Sequence, residues 1–291
     1  MKGGKVMSKT NSPLRYPGGK AKLYPYVSRL IKQQYQDKPP IYAEAYAGGF
    51  GLGIQLLLNN DVESVLINDL DPAIYAFWKC VTSGHLHNDF IDLINDTPID
   101  LMNWKIQKSI YLAGAKNGLL KLGFATFYLN RCNRSGIILA NPIGGIEQTG
   151  NYSMDCRFNK KALISLVNRI YALRNRIHVS NLDAIAFARL ADDEYDNVFF
   201  NFDPPYVKAG PTLYKNNYCE ADHILLANCV KLLRNKWIMT YDNNTLIKTC
   251  YSEETVRTYS LNYSLENKRK DNELIIYDHR IINPPILIIG K

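Results

Sequence analysis

The chain has 291 residues, 46% of them hydrophobic and 21% charged, enough to bury the core of one large domain or of a domain with an insertion. No apolar run approaches the roughly 20 residues that a membrane-spanning helix needs, so the sequence predicts no contact with a membrane. The six cysteines form no C-x-x-C pair, and the five histidines show no ligand spacing. We therefore expect no metal site, and reduced thiols as in a cytoplasmic protein.

Charge is distributed unevenly along the chain, whose formal total is +8. Residues 101–180 carry twelve Lys or Arg and two acids, whereas residues 41–100 carry one Lys and nine acids. A basic block of this density is typical of a surface that binds a polyanion. A solvated face without a ligand is the alternative, but the clustering favours the nucleic-acid interpretation.

From Ile41 onward, short apolar runs alternate with amphipathic stretches. The stretches predict helices, notably at 52–60, 72–82 and 221–234. Such alternation predicts an α/β fold, with a mostly parallel sheet covered by helices on both faces. The apolar runs predict strands at 41–46, 64–68, 177–180, 197–202 and 236–241, and two more near 256–261 and 273–278.

The segment 84–176 interrupts this alternation. Its stretch LNRCNRSGIILANPIGGIEQTGNY (129–152) is rich in turn formers and predicts loops, whereas KKALISLVNRIYALRNR (160–176) has helical periodicity. A long interruption of an α/β domain is typically functional or a small second domain. We predict a core domain of residues 1–83 and 177–291 and a mainly helical and loop insertion at 84–176.

The first predicted strand leads into a glycine-rich turn, AEAYAGGFGLG (43–53). Gly48, Gly49 and Gly51 lie where strand becomes helix, and glycine permits a close approach of the backbone to a ligand. Asp69 follows about twenty residues later, where an acid can accept hydrogen bonds from ribose hydroxyls. The pattern indicates a nucleotide-type cofactor, although G-G-F-G-L-G departs from the G-x-G-x-x-G spacing of dehydrogenases. For each glycine alone, a tight turn without a ligand stays open.

Upstream of this core, RYPGGK (15–20) places Tyr16 and Lys20 on either side of a Pro-Gly-Gly turn. An ordinary surface turn is an equal alternative when the segment is considered alone. The segment nevertheless supplies an aromatic ring and a cation next to the predicted nucleotide site, and a dehydrogenase would not need it.

The fourth predicted strand stops at NFDPPY (201–206). Sheets of this kind bind ligands at the carboxyl ends of their strands, where Asp203 lies. Pro204 and Pro205 fix φ and donate no N–H, so carbonyls at this corner can accept hydrogen bonds. The corner predicts a site for a planar heterocycle with an exocyclic amine, which Asp203 and the Pro204 carbonyl would hold and Tyr206 would stack upon.

Together these blocks resemble the Dam-type (D12 class) DNA N6-adenine methyltransferases, which use S-adenosylmethionine. The resemblance extends from about Ser12 to Tyr277, and the ordered set is far more specific than DPPY alone. The blocks are RYPGGK (15–20), EAYAGGFG (44–51), NDLD (68–71), NRCNRSG (130–136), DPPY (203–206) and ELIIY (273–277).

The resemblance implies a Rossmann-like S-adenosylmethionine-dependent methyltransferase fold, with 84–176 as the target-recognition domain. Tyr16 and Lys20 would contact the methionine end of the cofactor, and Asp183 its adenine amine. The implied catalytic residues are Asp203, Pro204, Pro205 and Tyr206. The implied cofactor-binding residues are Tyr16, Lys20, Glu44, Tyr46, Gly48, Gly49, Gly51, Asp69 and Asp183. Arg131, Asn133 and Arg134 are candidates for contact with DNA.

Three features depart from the family pattern. Ala45 replaces a usual proline, and Phe50 occupies a place often held by glycine or alanine. Neither change removes a polar group. The stretch IGGIEQTGNY (143–152) differs from the Dam enzymes that read GATC, so the resemblance does not imply a recognition sequence.

The implied activity is site-specific transfer of a methyl group to the N6 amine of an adenine flipped out of double-stranded DNA. We expect a cytoplasmic protein associated with the nucleoid through DNA, a monomer or weak dimer, with or without a cognate restriction endonuclease. N4-cytosine methylation is the nearest alternative, but those enzymes more often carry Ser in place of Asp203. A catalytically silent DNA-binding relative would be expected to have lost Asp203 or the glycine turn. A nicotinamide dehydrogenase is the weakest alternative.

Overall fold

A computed structural model describes residues 11–16, 18–207, 218–262 and 270–287. Within them a single seven-stranded sheet forms wherever the sequence predicted a strand, with ends that differ by at most three residues. The strands are β1 (Ile41–Glu44), β2 (Val65–Asn68), β3 (Ile177–Ser180), β4 (Val198–Phe202), β5 (Lys236–Asp242), β6 (Thr255–Asn262) and β7 (Lys270–Tyr277).

The sheet order is β3-β2-β1-β4-β5-β7-β6. Strands β1 to β5 are parallel, and β7 runs antiparallel between β5 and β6. The strand order reverses between β1 and β4, which are neighbours in the sheet although Ile41 and its partner Val198 lie far apart in the sequence. The carboxyl ends of β1, β2 and β4 therefore meet at one edge, where open α/β sheets bind ligands.

Ten α-helices are described in these parts of the chain. Two predicted helices are confirmed closely, and the predicted 221–234 helix ends four residues earlier than expected. The helices are α1 (Tyr24–Gln34), α2 (Gly51–Leu58), α3 (Pro72–Thr82), α4 (His87–Asp96), α5 (Leu101–Ala113), α6 (Gly118–Cys132), α7 (Lys160–Tyr171), α8 (Ala184–Glu194), α9 (Glu220–Val230) and α10 (Thr245–Cys250).

Two hydrophobic clusters cover the two faces of the sheet. One contains Phe199 and Ile275 with α1 to α3, and the other contains Phe200 and Ile276 with α8 and α9. Adjacent residues of β4 and β7 thus face opposite clusters, as the alternation of side chains along a strand requires. No helix in the described ranges is long and apolar enough to cross a membrane.

The segment 84–176 contributes α4 to α7 and shares the first hydrophobic cluster with the core. Helix α6 packs closely against α3, because Gly123 has no side chain: a Cβ there would lie 2.7 Å from the Ala76 carbonyl oxygen. The prediction of loops from Leu129 was wrong for its first four residues, which belong to α6. Their side chains are mostly buried, and this tertiary packing extends the helix to Cys132.

Candidate functional site

A cavity of about 480 Å³ opens at the carboxyl ends of β1, β2 and β4. Its sheet side, which we call the floor, carries the acids Glu44, Asp69, Asp71 and Asp203. Its opposite side, which we call the wall, is the loop 136–139, with Ile74 and Tyr111 beside it. Aromatic rings of Tyr16, Tyr46, Phe50 and Tyr218 complete the lining.

Glu44 ends β1 in a buried position, 7% exposed. The Tyr42 hydroxyl donates to Glu44 Oε1 at 2.6 Å, and Asn201 Nδ2 approaches the same oxygen at 3.5 Å. Burial raises the pKa of this carboxyl to about 8, although the bond from Tyr42 opposes the change. A cation placed in the cavity would therefore favour the ionised carboxylate.

The glycine turn is held by Asp69. Backbone N–H groups of Gly48 and Asp71 donate to its two oxygens at 2.8 and 2.9 Å. Burial raises the pKa of Asp69 to about 6 against these bonds. At neutral pH, an ionised carboxylate therefore lies just after β2, beside the glycine turn that leads into α2.

Two features of the turn favour glycine: the close packing of the Tyr16 side chain and the backbone conformation. A Cβ on Gly48 would lie 2.7 Å from Tyr16 Cε1, and one on Gly49 would lie 2.8 Å from Tyr16 Cβ. Gly48 also has a φ of 46°, in the left-handed region that glycine tolerates best. The segment before Lys20 therefore packs directly on the turn.

Phe50, the unusual residue of the turn, also has a φ of 46°. Such a conformation costs a bulky residue about 1–3 kcal/mol. Its ring is 2% exposed and packs edge-on against Trp78 at 5.9 Å. Gly53 makes room for it, since a Cβ there would lie 2.2 Å from Phe50 Cζ. Burial of the ring offsets the strain, which explains how the turn accepts phenylalanine.

The corner after β4 holds the carboxylate of Asp203 between two donors. The buried hydroxyl of Thr240 on the neighbouring strand β5 donates to Oδ1 at 2.6 Å, and Lys20 Nζ lies 2.9 Å from Oδ2. Lys20 Nζ also donates to the Tyr206 hydroxyl at 2.9 Å and to the Gly18 carbonyl at 3.0 Å. A second acid, Glu273 of β7, lies 3.9 Å from the same nitrogen. The lysine thus joins the turn before α1 to both ends of DPPY.

On the other side of the floor, the Tyr46 and Tyr218 hydroxyls are hydrogen-bonded at 2.8 Å. Asp183 follows β3 and caps α8, where its Oδ1 accepts from the N–H groups of Ile185 and Ala186. Its side chain is exposed and its neighbour Ala184 lines the cavity.

The wall is held from behind by two buried asparagines. Asn130 Nδ2 donates to the Gly136 carbonyl at 2.8 Å, and Asn133 Nδ2 donates to the Ile138 carbonyl at 2.7 Å. Asn133 Oδ1 accepts from Trp104 Nε1 at 2.7 Å. With its polar groups satisfied behind it, the loop presents apolar side chains at the cavity, among them the exposed Leu139.

The three DNA candidates differ in exposure. Asn133 is fully buried in the bonds just described, so its side chain cannot reach DNA in this conformation. Arg131 Nε donates to the Arg157 carbonyl at 2.8 Å and is half-buried, whereas Arg134 is exposed. The sequence pattern did not distinguish the exposed residue of this segment from the two that are buried or half-buried.

The structure brings most of the predicted site residues together around one cavity. Pro204 is buried and Tyr206 is half-buried, next to residues that line the cavity. Gly48 and Asp183 do not line the cavity themselves, but residues adjacent to them in the sequence do. The predicted residues that line it are Tyr16, Lys20, Glu44, Tyr46, Gly49, Gly51, Asp69, Asp203 and Pro205.

Sequence reasoning missed Thr240, Asn201, Tyr218 and the wall. Asn201 could have been noticed as an amide inside the apolar run of β4. Thr240 follows Met239, the partner of Phe202, so the register of β4 and β5 places it beside Asp203. Within the described ranges, no group of three or more His, Cys, Asp or Glu could hold a metal ion.

The sheet order, the glycine turn after β1 and the acid after β2 define a Rossmann-like methyltransferase fold. A family model described as D12 class N6 adenine-specific DNA methyltransferase matches residues 16–266. The chain therefore belongs to that family and is an adenine-specific DNA methyltransferase, as the ordered blocks predicted. Membership implies a DNA substrate and a methyl donor of the S-adenosylmethionine type.

Other comparisons add little to this. A search of curated proteins found no match. Among solved structures, the chain is similar to the rRNA methyltransferase aviRa from Streptomyces viridochromogenes, with 12% identity, 96% coverage of each chain and a TM-score of 0.41. A likeness this distant says nothing about substrate.

Proposed function

We propose that this enzyme transfers a methyl group from S-adenosylmethionine to the N6 amine of an adenine extruded from double-stranded DNA, with Asp203 as the residue that binds the amine. The observation that supports this most directly is that Asp203 lines the same cavity as the glycine turn and Asp69. One cavity can therefore hold the donor and the acceptor of the methyl group side by side.

The lining of the cavity fits S-adenosylmethionine chemically. The cofactor carries a positive sulfonium and ammonium, a ribose diol and an adenine ring, and it supplies an activated methyl group when bound. Acids and aromatic rings dominate the lining, and Lys20, its cation, lies against Asp203. In the proposal Asp69 accepts hydrogen bonds from the ribose, and Glu44 and Tyr16 lie toward the methionine end.

The remaining cofactor contacts are proposed around these. Tyr46 and the backbone of Gly48, Gly49 and Gly51 would cradle the cofactor, and Asp183 would meet its adenine amine. Asp183 already accepts two backbone N–H groups, so its second oxygen is the one available in this proposal.

Asp203 is suited to accept hydrogen bonds from an amine. Thr240 and Lys20 each donate to one of its oxygens, which fixes the orientation of the carboxylate. A carboxylate oxygen has lone pairs for a further donor, so N6–H can be accepted without breaking either bond. With the Pro204 carbonyl as second acceptor, the lone pair of N6 would be directed at the methyl group, and catalysis is then mainly alignment.

The contacts of Lys20 suggest a role that the resemblance did not imply. Its ammonium binds Asp203 and the Tyr206 hydroxyl. We propose that it holds the Asp203 carboxylate and the Tyr206 hydroxyl in fixed positions. Extrusion of the adenine costs a few kcal/mol, and stacking on Tyr206 would return about 1–3 kcal/mol of that.

The region 84–176 is proposed as the target-recognition domain, with Arg134 on its DNA surface and Arg131 as a support. Its net positive charge and its loop at the mouth of the cavity support this. A cytoplasmic location with DNA, a monomer or weak dimer, and a cognate endonuclease as a partner are further parts of the proposal.

Methyl incorporation into DNA tests the assignment of Asp203. The wild type should transfer labelled methyl from S-adenosylmethionine to duplex DNA, and digestion should yield N6-methyl-2′-deoxyadenosine. Asp203→Ala should lose about a thousandfold in rate, because it removes the acceptor for the amine. Asp193→Ala, which removes an exposed carboxylate on α8, is the matched control and should keep wild-type activity. Equal incorporation by Asp203→Ala would refute its role, and N4-methylcytosine as product would overturn the proposed acceptor.

A further inference from the structure

Three arginines from separate segments meet beside the wall of the cavity: Arg15, Arg131 and Arg157, which we call the arginine cluster. Arg131, at the end of α6, donates through Nε and Nη2 to the Arg157 carbonyl and through Nη1 to the Pro13 carbonyl at 3.4 Å. Arg15 Nη1 lies 3.4 Å from the Asn133 carbonyl. Main-chain oxygens thus hold the Arg15 and Arg131 side chains, and Arg131 in turn contacts the backbone of Arg157.

The positive charges of the arginine cluster have no acidic counterpart in the described ranges. No carboxylate there lies within ion-pair distance of any of the three guanidinium groups. Burial, and then the charges of Arg15 and Arg157, lower the pKa of Arg131 to about 10. For Arg15, burial and then Arg157 lower the pKa. Such an arrangement costs free energy that a bound anion would recover.

The neighbours that raise these pKa values are thiols, Cys132 and Cys156. Burial raises the pKa of Cys132 far above its usual value, so this thiol stays neutral at physiological pH. Asp155 acts electrostatically on Cys132 but forms no ion pair with the arginine cluster among the described residues, so a counterion from outside the chain can bind there.

The arginine cluster lies next to the cavity through its backbone. The Arg15 N–H donates to Asn130 Oδ1 at 2.7 Å, and its carbonyl accepts from Asn130 Nδ2 at 2.9 Å. Gly136 is packed on the same carbonyl, since a Cβ there would lie 2.0 Å from the Arg15 oxygen. Both Gly136 and Tyr16, the residue after Arg15, line the cavity.

We propose that the arginine cluster binds a backbone phosphate of the DNA close to the target nucleotide, with Arg157 as its exposed member. This rests on the proposed function, because the phosphate belongs to the DNA whose adenine enters the cavity. A phosphodiester suits the site, since guanidinium groups bind its oxygens in a fork and three of them can share one anion. The surrounding segment 101–180, with twelve basic residues and two acids, favours a polyanion over a single small acid.

The salt dependence of DNA binding tests this inference. Affinity of the full chain for a short duplex of mixed sequence is measured by fluorescence anisotropy between about 50 and 200 mM salt, since phosphate contacts also operate in non-specific binding. Arg157→Gln should weaken binding by roughly tenfold and reduce the slope of log K against log salt by about 0.9, the value of one lost phosphate contact. Arg157→Lys keeps the charge and should retain the wild-type slope.

Arg29→Gln is the matched control, because this exposed arginine lies on α1, outside both the segment 84–176 and the lining of the cavity. It should keep both affinity and slope, and thermal unfolding should show that each variant is folded. An unchanged slope in Arg157→Gln, with a wild type that methylates DNA, would overturn the arginine cluster as a phosphate site and leave the proposed function standing. A wild type that neither binds nor methylates DNA would instead overturn the proposed function, and the phosphate site with it.

Discussion

On the floor of the cavity, Glu44, Asp69 and Asp203 are each held by donors from neighbouring strands or turns. On the wall, Leu139 and its neighbours come from a loop whose polar groups are satisfied on the far side. The floor thus keeps charged groups at fixed positions, and the wall presents exposed apolar groups. This difference suits two tasks, since a methyl transfer needs fixed acceptors, whereas an incoming base needs a surface that sheds water easily.

The buried side chain of Asn133 hydrogen-bonds to the loop that forms the wall. Removing this side chain should destabilise the protein more than any change on the floor. Asn133→Ala leaves Trp104 Nε1 and the Ile138 carbonyl without partners in a buried place. Each such group costs about 1–3 kcal/mol, so the free energy of unfolding should fall by about 4 kcal/mol. Chemical denaturation measures the change. Asn103→Ala, on the half-buried first turn of α5, serves as the control, and a similar small loss in both variants would contradict the supporting role of Asn133.

On the floor, the buried carboxyl of Glu44 should make the stability of the protein depend on pH. Glu44 has a folded-state pKa of about 8 against 4.5 when exposed, so between these values the folded protein binds more protons than the unfolded chain. Stability is then largest below about pH 4.5 for this group and falls as pH rises toward 8, by about 5 kcal/mol in all. Glu44→Gln keeps an oxygen for the Tyr42 hydroxyl and cannot ionise.

Thermal unfolding without cofactor, from pH 5 to pH 8, measures this effect. The variant should lose less stability than the wild type over that range and be the more stable of the two at pH 8. Glu63→Gln, at an exposed carboxylate, should behave as the wild type does. Parallel curves for Glu44→Gln and the wild type would show that the floor does not hold this carboxyl as described.

The same contrast explains what the sequence could reveal. The floor residues were predictable because each follows a short apolar run, and parallel strands bring such ends to one edge. The wall was not, since the buried roles of Asn130 and Asn133 depend on the packing of α6 against α3, which no local pattern contains. For the same reason the sequence did not indicate that Arg131 binds the main-chain carbonyls of Pro13 and Arg157.

Thr240 tests the floor most finely, because its side chain contacts Asp203 but does not line the cavity. Thr240→Val removes the donor at 2.6 Å and keeps the shape of the side chain. Lys20 still binds the other oxygen of Asp203, so we expect loss of alignment rather than of charge: about a tenfold fall in kcat, or about 1.4 kcal/mol.

Affinity for S-adenosylmethionine should stay unchanged in Thr240→Val, as should KM for DNA, because neither ligand contacts this residue in the proposal. Thr240→Ser restores the hydroxyl without the methyl group and should recover most of kcat. A general packing defect would predict the opposite order, with serine worse than valine at a fully buried position. The ranking of the two variants therefore separates a residue that orients Asp203 from one that only fills space between β4 and β5.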